Sequence, residues 1–134
     1  MSTDASLDAA RLTGLAPQFL VDDIEAAIAY YRDKLGFALD FKYESFYAGV
    51  SRDGLVVHLK QASKLAGERA HRRQNEHLDA YISVTGVKAL HQELETRGAR
   101  ITKPIEKRPW ACVDFYAEDA DGSVLCFSEQ TTHT

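Results

Sequence analysis

Apolar and polar positions follow one another along this chain in two runs of similar order. The first begins with an apolar stretch at 15–21 that reads as a strand. Pro17 lies inside it and cannot donate to a sheet ladder, so this strand is expected at an edge or with a bend. A polar pair, Asp22-Asp23, follows and can cap a helix. Ile24, Ala27, Ile28, Tyr31 and Leu35 then fall on one helical face, and Gly36 ends the helix. Three strand segments come next, at 37–43, 46–52 and 55–61, with Asp53-Gly54 as a hairpin turn between the last two.

The second run repeats the plan. A strand is expected at 77–84, and Thr85 is placed to cap a helix carrying Val87, Leu90 and Leu94 and ending at Gly98. Strands at 100–105, 113–117 and 123–128 follow, with Asp121-Gly122 before the last. Val21 and Ile24 map to Val84 and Val87, 63 positions on, while Asp53-Gly54 maps to Asp121-Gly122, 68 positions on. Two matches in the same order at nearly one offset indicate two copies of a βαβββ module. The expected class is α+β: two tandem modules forming a curved mixed sheet that encloses a cleft. Residues 1–13 read as a flexible leader and 14–134 as one domain. Module one covers about 14–62, a polar linker 63–76, and module two about 77–130.

With 134 residues, 45% hydrophobic and 27% charged, the chain suits one compact soluble domain. No stretch approaches the roughly 20 apolar residues of a membrane span. The polar, acidic first dozen residues lack a secretion signal's basic start and apolar centre, which points to the cytoplasm. A net charge of −4 makes nucleic acid a poor partner. The basic run of Arg69, His71, Arg72 and Arg73 reads as a solvated loop between modules. Cys112 and Cys126 form neither a disulfide framework nor a CxxC motif, so both are expected as free thiols. There is no phosphate-binding glycine loop and no legible serine or cysteine triad.

The phrases Tyr30-Tyr31-Arg32-Asp33-Lys34-Leu35-Gly36-Phe37 and Asp119-Ala120-Asp121-Gly122 resemble the vicinal oxygen chelate superfamily of glyoxalase I, fosfomycin-resistance proteins, extradiol dioxygenases and bleomycin-resistance proteins. Asp40-Phe41 before Phe46-Tyr47-Ala48-Gly49-Val50, and Arg108-Pro109-Trp110 before Asp114-Phe115, are similar to the bleomycin-resistance branch. That resemblance implies a homodimer, with an exchanged N-terminal strand as one form and Pro17 at its hinge. It also implies a ligand held where subunits meet.

In the metal-dependent members, two ligand positions precede the helices and two follow the Asp-Gly turns. The resemblance sets Ala16, Asp79, His58 and Cys126 there, and the internal repeat pairs the same positions, 16 with 79 and 58 with 126. Alanine cannot bind a metal. His58, Asp79 and Cys126, with His77 as a substitute, would be an unusual set for zinc, nickel, manganese or iron. The favoured expectation is therefore no cofactor and recognition by side chains. By resemblance Tyr47, Tyr81, Trp110 and Phe115 line an aromatic pocket; Asp40, Asp79 and Asp114 could supply negative charge for a cationic ligand; His58 and Cys126 fill the concave face. The function expected is sequestration of a planar or cationic, antibiotic-like molecule. The alternatives are a metal-dependent glyoxalase-like lyase or dioxygenase, and a structural dimer with a vestigial cleft.

Overall fold

The computed structural model describes residues 10–11, 13–62 and 78–131. Most of the expected leader lies outside them, as do the linker at 63–76 with Arg69, His71, Arg72 and Arg73, and also His77.

The first module comprises β1 (Gln18–Val21), α1 (Ile24–Lys34), β2 (Ala38–Tyr43), β3 (Tyr47–Arg52) and β4 (Leu55–Gln61). The second comprises β5 (Ala80–Ser83), α2 (Val87–Arg97), β6 (Arg100–Arg108), β7 (Cys112–Glu118) and β8 (Val124–Gln130). Each module forms its own four-stranded sheet, in the orders β1-β4-β3-β2 and β5-β8-β7-β6. In each, the first strand runs parallel to the fourth and the other pairs are antiparallel. The duplication extends to register. Gln18 stands opposite His58 and Tyr81 opposite Cys126, positions related by the same offsets of 63 and 68.

Local chemistry explains the elements and a few displaced boundaries. Asp23 caps α1, its side chain accepting the Ala26 N–H. β1 starts at Gln18 rather than 15, because Pro17 has no N–H for the ladder; the Pro17 carbonyl still accepts from the His58 N–H at 2.9 Å. β1 does lie at a sheet edge. Asp53 and Gly54 both take positive φ, 53° and 82°, as a tight hairpin of the primed type requires. Thr85 is not the cap of α2: Gly86 holds that position at φ 83°, with no side-chain cap of its own. The exposed N–H groups of Gly86 and Val87 are instead taken by the Glu129 carboxylate, at 3.1 and 2.9 Å. In module one Gln61 Oε1 does the same for the Ile24 N–H, at 2.8 Å. In both modules a side chain at the end of the fourth strand thus takes N–H groups at the helix start, joined in module one by Asp23.

The core lies between helices and sheets and runs through both modules. Ile24, Ala27, Ile28 and Tyr31 form the buried face of α1, which packs on β2, β3 and β4. Val87 and Leu94 are the buried residues of α2, which packs on β6, β7 and β8 and touches α1. Each buried valine, leucine or isoleucine among them contributes roughly 1.5–3 kcal/mol on leaving water. Polar ties join the modules. Tyr30 donates to the Glu118 carbonyl at 2.9 Å and Tyr31 to Asp119 Oδ2 at 3.0 Å. The Asp22 N–H donates to Asp121 Oδ1 at 2.8 Å. Reciprocally, Glu93 of α2 takes both Arg52 nitrogens from the β3–β4 corner, at 3.0 and 2.8 Å. Tyr30 and Glu93 are equivalent by the 63-residue offset, so each helix is anchored on the other module's corner.

Candidate functional site

Strand alternation divides β4. Val57 and Leu59 are buried towards the core, so His58 faces the opposite, open side of the first sheet. Three neighbours gather around it. Tyr47 Oη lies 2.9 Å from His58 Nδ1, and Gln18 Nε2 donates to the same Tyr47 oxygen at 2.9 Å. Phe41 meets the imidazole edge-on, with centroids 5.3 Å apart and planes at 89°, and lies nearly parallel to Tyr47. Gly49 stands opposite His58 in the ladder. A Cβ at Gly49 would sit 2.2 Å from the Phe41 ring, so only glycine lets Phe41 lie over the strand. The register shift between Leu39 and Phe41 places Asp40 at an irregularity of β2, exposed to solvent.

The open side of the second sheet is more closely covered. Arg108 Nε donates to Asp114 Oδ1 at 2.8 Å, and the pair is nearly buried. The Cys112 thiol lies 3.9 Å from the other Asp114 oxygen. Burial, reinforced by the Asp114 charge, pushes the Cys126 thiol up to about 11. It is therefore protonated and unreactive at neutral pH. Burial also raises the Tyr116 hydroxyl, and Lys103 lies over that ring at 5.2 Å from its centroid.

A groove of about 1370 Å³ runs between the modules. Pro17, Phe41 and His58 wall it from module one, and Tyr81, Ser83 and Leu90 from module two, with Asp40 at its border. Of the residues singled out in the sequence, Asp40, His58 and Tyr81 thus share one groove, and Tyr47 joins through His58. Trp110 is set apart at the β6–β7 turn, 66% exposed. Asp79 precedes β5, and its carboxylate accepts the Val124 N–H at 2.8 Å. Cys126 is buried on the second sheet.

Phe115 corrects the expectation that it lines the cleft. It is 0% exposed and packs in the core against Phe127 and His91. Asp114 and Tyr116 take the open side, so alternation turns Phe115 inward. Gln18 and Phe41 were not among the expected site residues. The signal that would have found Gln18 is the repeat, which makes it the counterpart of Tyr81; for Phe41 it is Gly49, a glycine inside a strand.

The metal set expected from the superfamily does not fit this chain. Ala16 offers no ligand atom, and the Asp79 carboxylate is engaged by the Val124 N–H. Among the described residues, no three His, Cys, Asp or Glu side chains converge as a metal site. No helix among them is long and apolar enough to cross a membrane.

Comparison with known proteins places this geometry. Among solved structures, the bleomycin-binding protein of bleomycin-producing Streptomyces verticillus, complexed with copper(II)-bleomycin, superposes with a TM-score of 0.68 at 22% identity, covering 93% of this chain and 100% of that one. The bleomycin resistance determinant encoded on transposon Tn5 gives 0.71 at 14% identity, over 90% and 100%. A glyoxalase-related enzyme from Clostridium phytofermentans gives 0.72 at 17%, over 90% and 97%. At these identities the likeness is one of fold. No curated protein matches the chain. The family model for the Glyoxalase/Bleomycin resistance protein/Dioxygenase superfamily matches residues 14–127, nearly the whole described chain. The duplicated modules, their shared register and this match agree: the chain belongs to the glyoxalase/bleomycin resistance protein/dioxygenase superfamily.

Proposed function

We propose that this protein binds a bulky planar or cationic small molecule without a metal, as a homodimer, and acts by sequestering it. The observation that carries this reading is the groove between modules. Its volume exceeds the roughly 300–1,000 Å³ of pockets for drug-sized ligands, and aromatic and apolar side chains border it alongside a single imidazole, Asp40, and Asp53 and Glu93 with Arg52 between them, three carboxylates to one guanidinium. Such walls bind by stacking and burial, and a carboxylate at the border favours a cation. No bond-making residue is needed. A metal-dependent lyase or dioxygenase would need ligands that Ala16 and the engaged Asp79 do not offer.

Dimerisation is supported by β2. All six of its residues are exposed, including Leu39, Phe41 and Tyr43, and Phe46 follows at the turn. An apolar edge strand of this kind is usually covered in the working molecule.

The test is thermal unfolding of the purified protein with bleomycin and other planar cationic antibiotics, together with metal analysis. A ligand at a hundredfold excess over its dissociation constant stabilises the fold by about 2.7 kcal/mol. The reading expects such a shift from an organic ligand alone. Stoichiometric zinc, nickel, manganese or iron in the purified protein, with loss of stability on chelation, would replace it by the metal-enzyme reading.

A further inference from the structure

We infer that the Gln18–Tyr47–His58 chain fixes His58 as a hydrogen-bond donor through Nε2–H, so that the groove prefers planar ligands bearing a carbonyl or similar acceptor oxygen. This deepens the small-molecule reading above and rests on it. The argument is one of proton counting. The Gln18 amide nitrogen can only donate, so the Tyr47 oxygen is its acceptor. The tyrosine hydroxyl has one proton of its own, and among the described residues His58 Nδ1, 2.9 Å away, is the one acceptor left for it; if Nδ1 donated instead, the hydroxyl proton would have no acceptor among them. A neutral imidazole whose Nδ1 accepts must carry its proton on Nε2.

Nε2 makes no hydrogen bond among the described residues, and His58 borders the groove. The ring is already oriented, by the edge of Phe41 at 5.3 Å and by Tyr47 at 5.5 Å. The Nε2–H is therefore held ready beside an aromatic surface, and its complement is an acceptor atom at the rim of a flat ring system. A neutral hydrogen bond in a wet groove gives a preference of about fivefold.

The (anthraquinon-2-yl)methyl-trimethylammonium and (anthracen-2-yl)methyl-trimethylammonium ions test this directly, because they share ring shape and the cationic charge that suits the groove and differ in two carbonyl oxygens. Binding of both to the full chain is measured by calorimetry at about pH 8.5, where an ordinary imidazole is neutral. Nitrogen NMR reports which imidazole nitrogen of His58 holds the proton. The wild type is expected to show the Nε2–H form and to prefer the quinone about fivefold. Tyr47→Phe breaks the chain and is expected to bring the two affinities within about twofold. Gln18→Glu turns the first donor into an acceptor, so Tyr47 donates to it and His58 shifts its proton to Nδ1, again abolishing the preference. Gln18 is exposed, so this second variant tests the proton arrangement without a buried change.

A wild-type proton on Nδ1 overturns the donor assignment whatever binds. Equal affinities with the proton on Nε2 overturn the acceptor preference and leave the small-molecule reading standing. Failure of both probes to bind overturns the preference; a stabilising shift with another planar cation then leaves the small-molecule reading standing, and no shift with any of them overturns that reading as well.

Discussion

Asp119 is fully buried where the modules meet. Tyr31 donates to its Oδ2 at 3.0 Å, and the N–H groups of Asp121 and Ser123 donate to Oδ1 at 2.9 and 2.8 Å. Burial outweighs these donors and pushes the carboxyl up to about 6. In the unfolded chain an aspartate titrates near about 3.9. Between those values the folded protein holds a proton that the unfolded chain has released. Asp119 therefore contributes its full stability below about pH 4 and loses it as pH rises through about 6, a change of at most about 3 kcal/mol. Glu93, lowered by its bond to Arg52, and Asp33, lowered by Arg32, act with the opposite sign, and their losses come as pH falls below the ordinary carboxylate range. Melting temperature measured from pH 4 to 7 should thus fall in the wild type relative to Asp119→Asn, and parallel curves would remove Asp119 from the account. At Gly49 a methyl group meets the Phe41 ring, the movable end of a half-exposed side chain. Gly49→Ala should therefore cost only about 1 kcal/mol yet push Phe41 off His58, seen as a changed ring-current shift of the imidazole protons. His58 and Tyr47 could be singled out in the sequence because the repeat marks one and the family phrase the other. Phe115 was misplaced because a phrase says nothing of which side of a strand a residue takes. Gln18 and Phe41 escaped notice because their role is set by cross-strand neighbours far away in sequence.

The elements themselves were largely readable. The duplicated pattern set the order of the eight strands and two helices among the described residues, and the Asp-Gly turns marked both fourth strands. What one sequence hid was the supply of caps. Thr85 looked like a cap by type, but the residue before Val87 is a left-handed glycine, and the acceptor comes from Glu129, 42 residues on from Val87. Module one divides the task, with Asp23 accepting from Ala26 and Gln61 from Ile24. Module two gives two N–H groups to one carboxylate, whose charge also suits a helix N-terminus. Glu129→Ala should therefore cost about 2 kcal/mol and Gln61→Ala about 1. Urea unfolding of the two variants compares them, and equal losses would mean that the two helix starts are held alike. Asp79 fits the same lesson: it stands one residue before β5, its N–H donates to the Val124 carbonyl at 2.9 Å and its carboxylate accepts the Val124 N–H, a cross-strand tie that residue type alone does not announce.

For the whole molecule, the two modules are bound to each other by their helices and corners, and this leaves the open sides of both sheets outside the core. The first sheet's open side carries the His58 cluster, and its edge strand β2 is exposed along its full length. The sequence showed the two copies but could not show which face each turns outward, since that depends on the packing of one module against the other. Two residues of β2 outside the His58 cluster, Leu39 and Tyr43, are 49% and 60% exposed. Water on both of these side chains in the working protein would waste apolar area that a second copy could cover, and a stable interface removes roughly 1,200–2,000 Å² in total. Lys42 and Asp40 between them already interrupt the strand with charge, which discourages open-ended pairing and suits a single closed contact. The double substitution Leu39→Lys, Tyr43→Lys puts like charges on both copies of a symmetric contact. Sedimentation velocity should then show a dimer for the wild type and a monomer for the variant. The melting temperature of the variant should also lose its dependence on protein concentration, since association stabilises by mass action. A wild-type monomer at all concentrations, or a variant that remains dimeric, would move the contact away from β2.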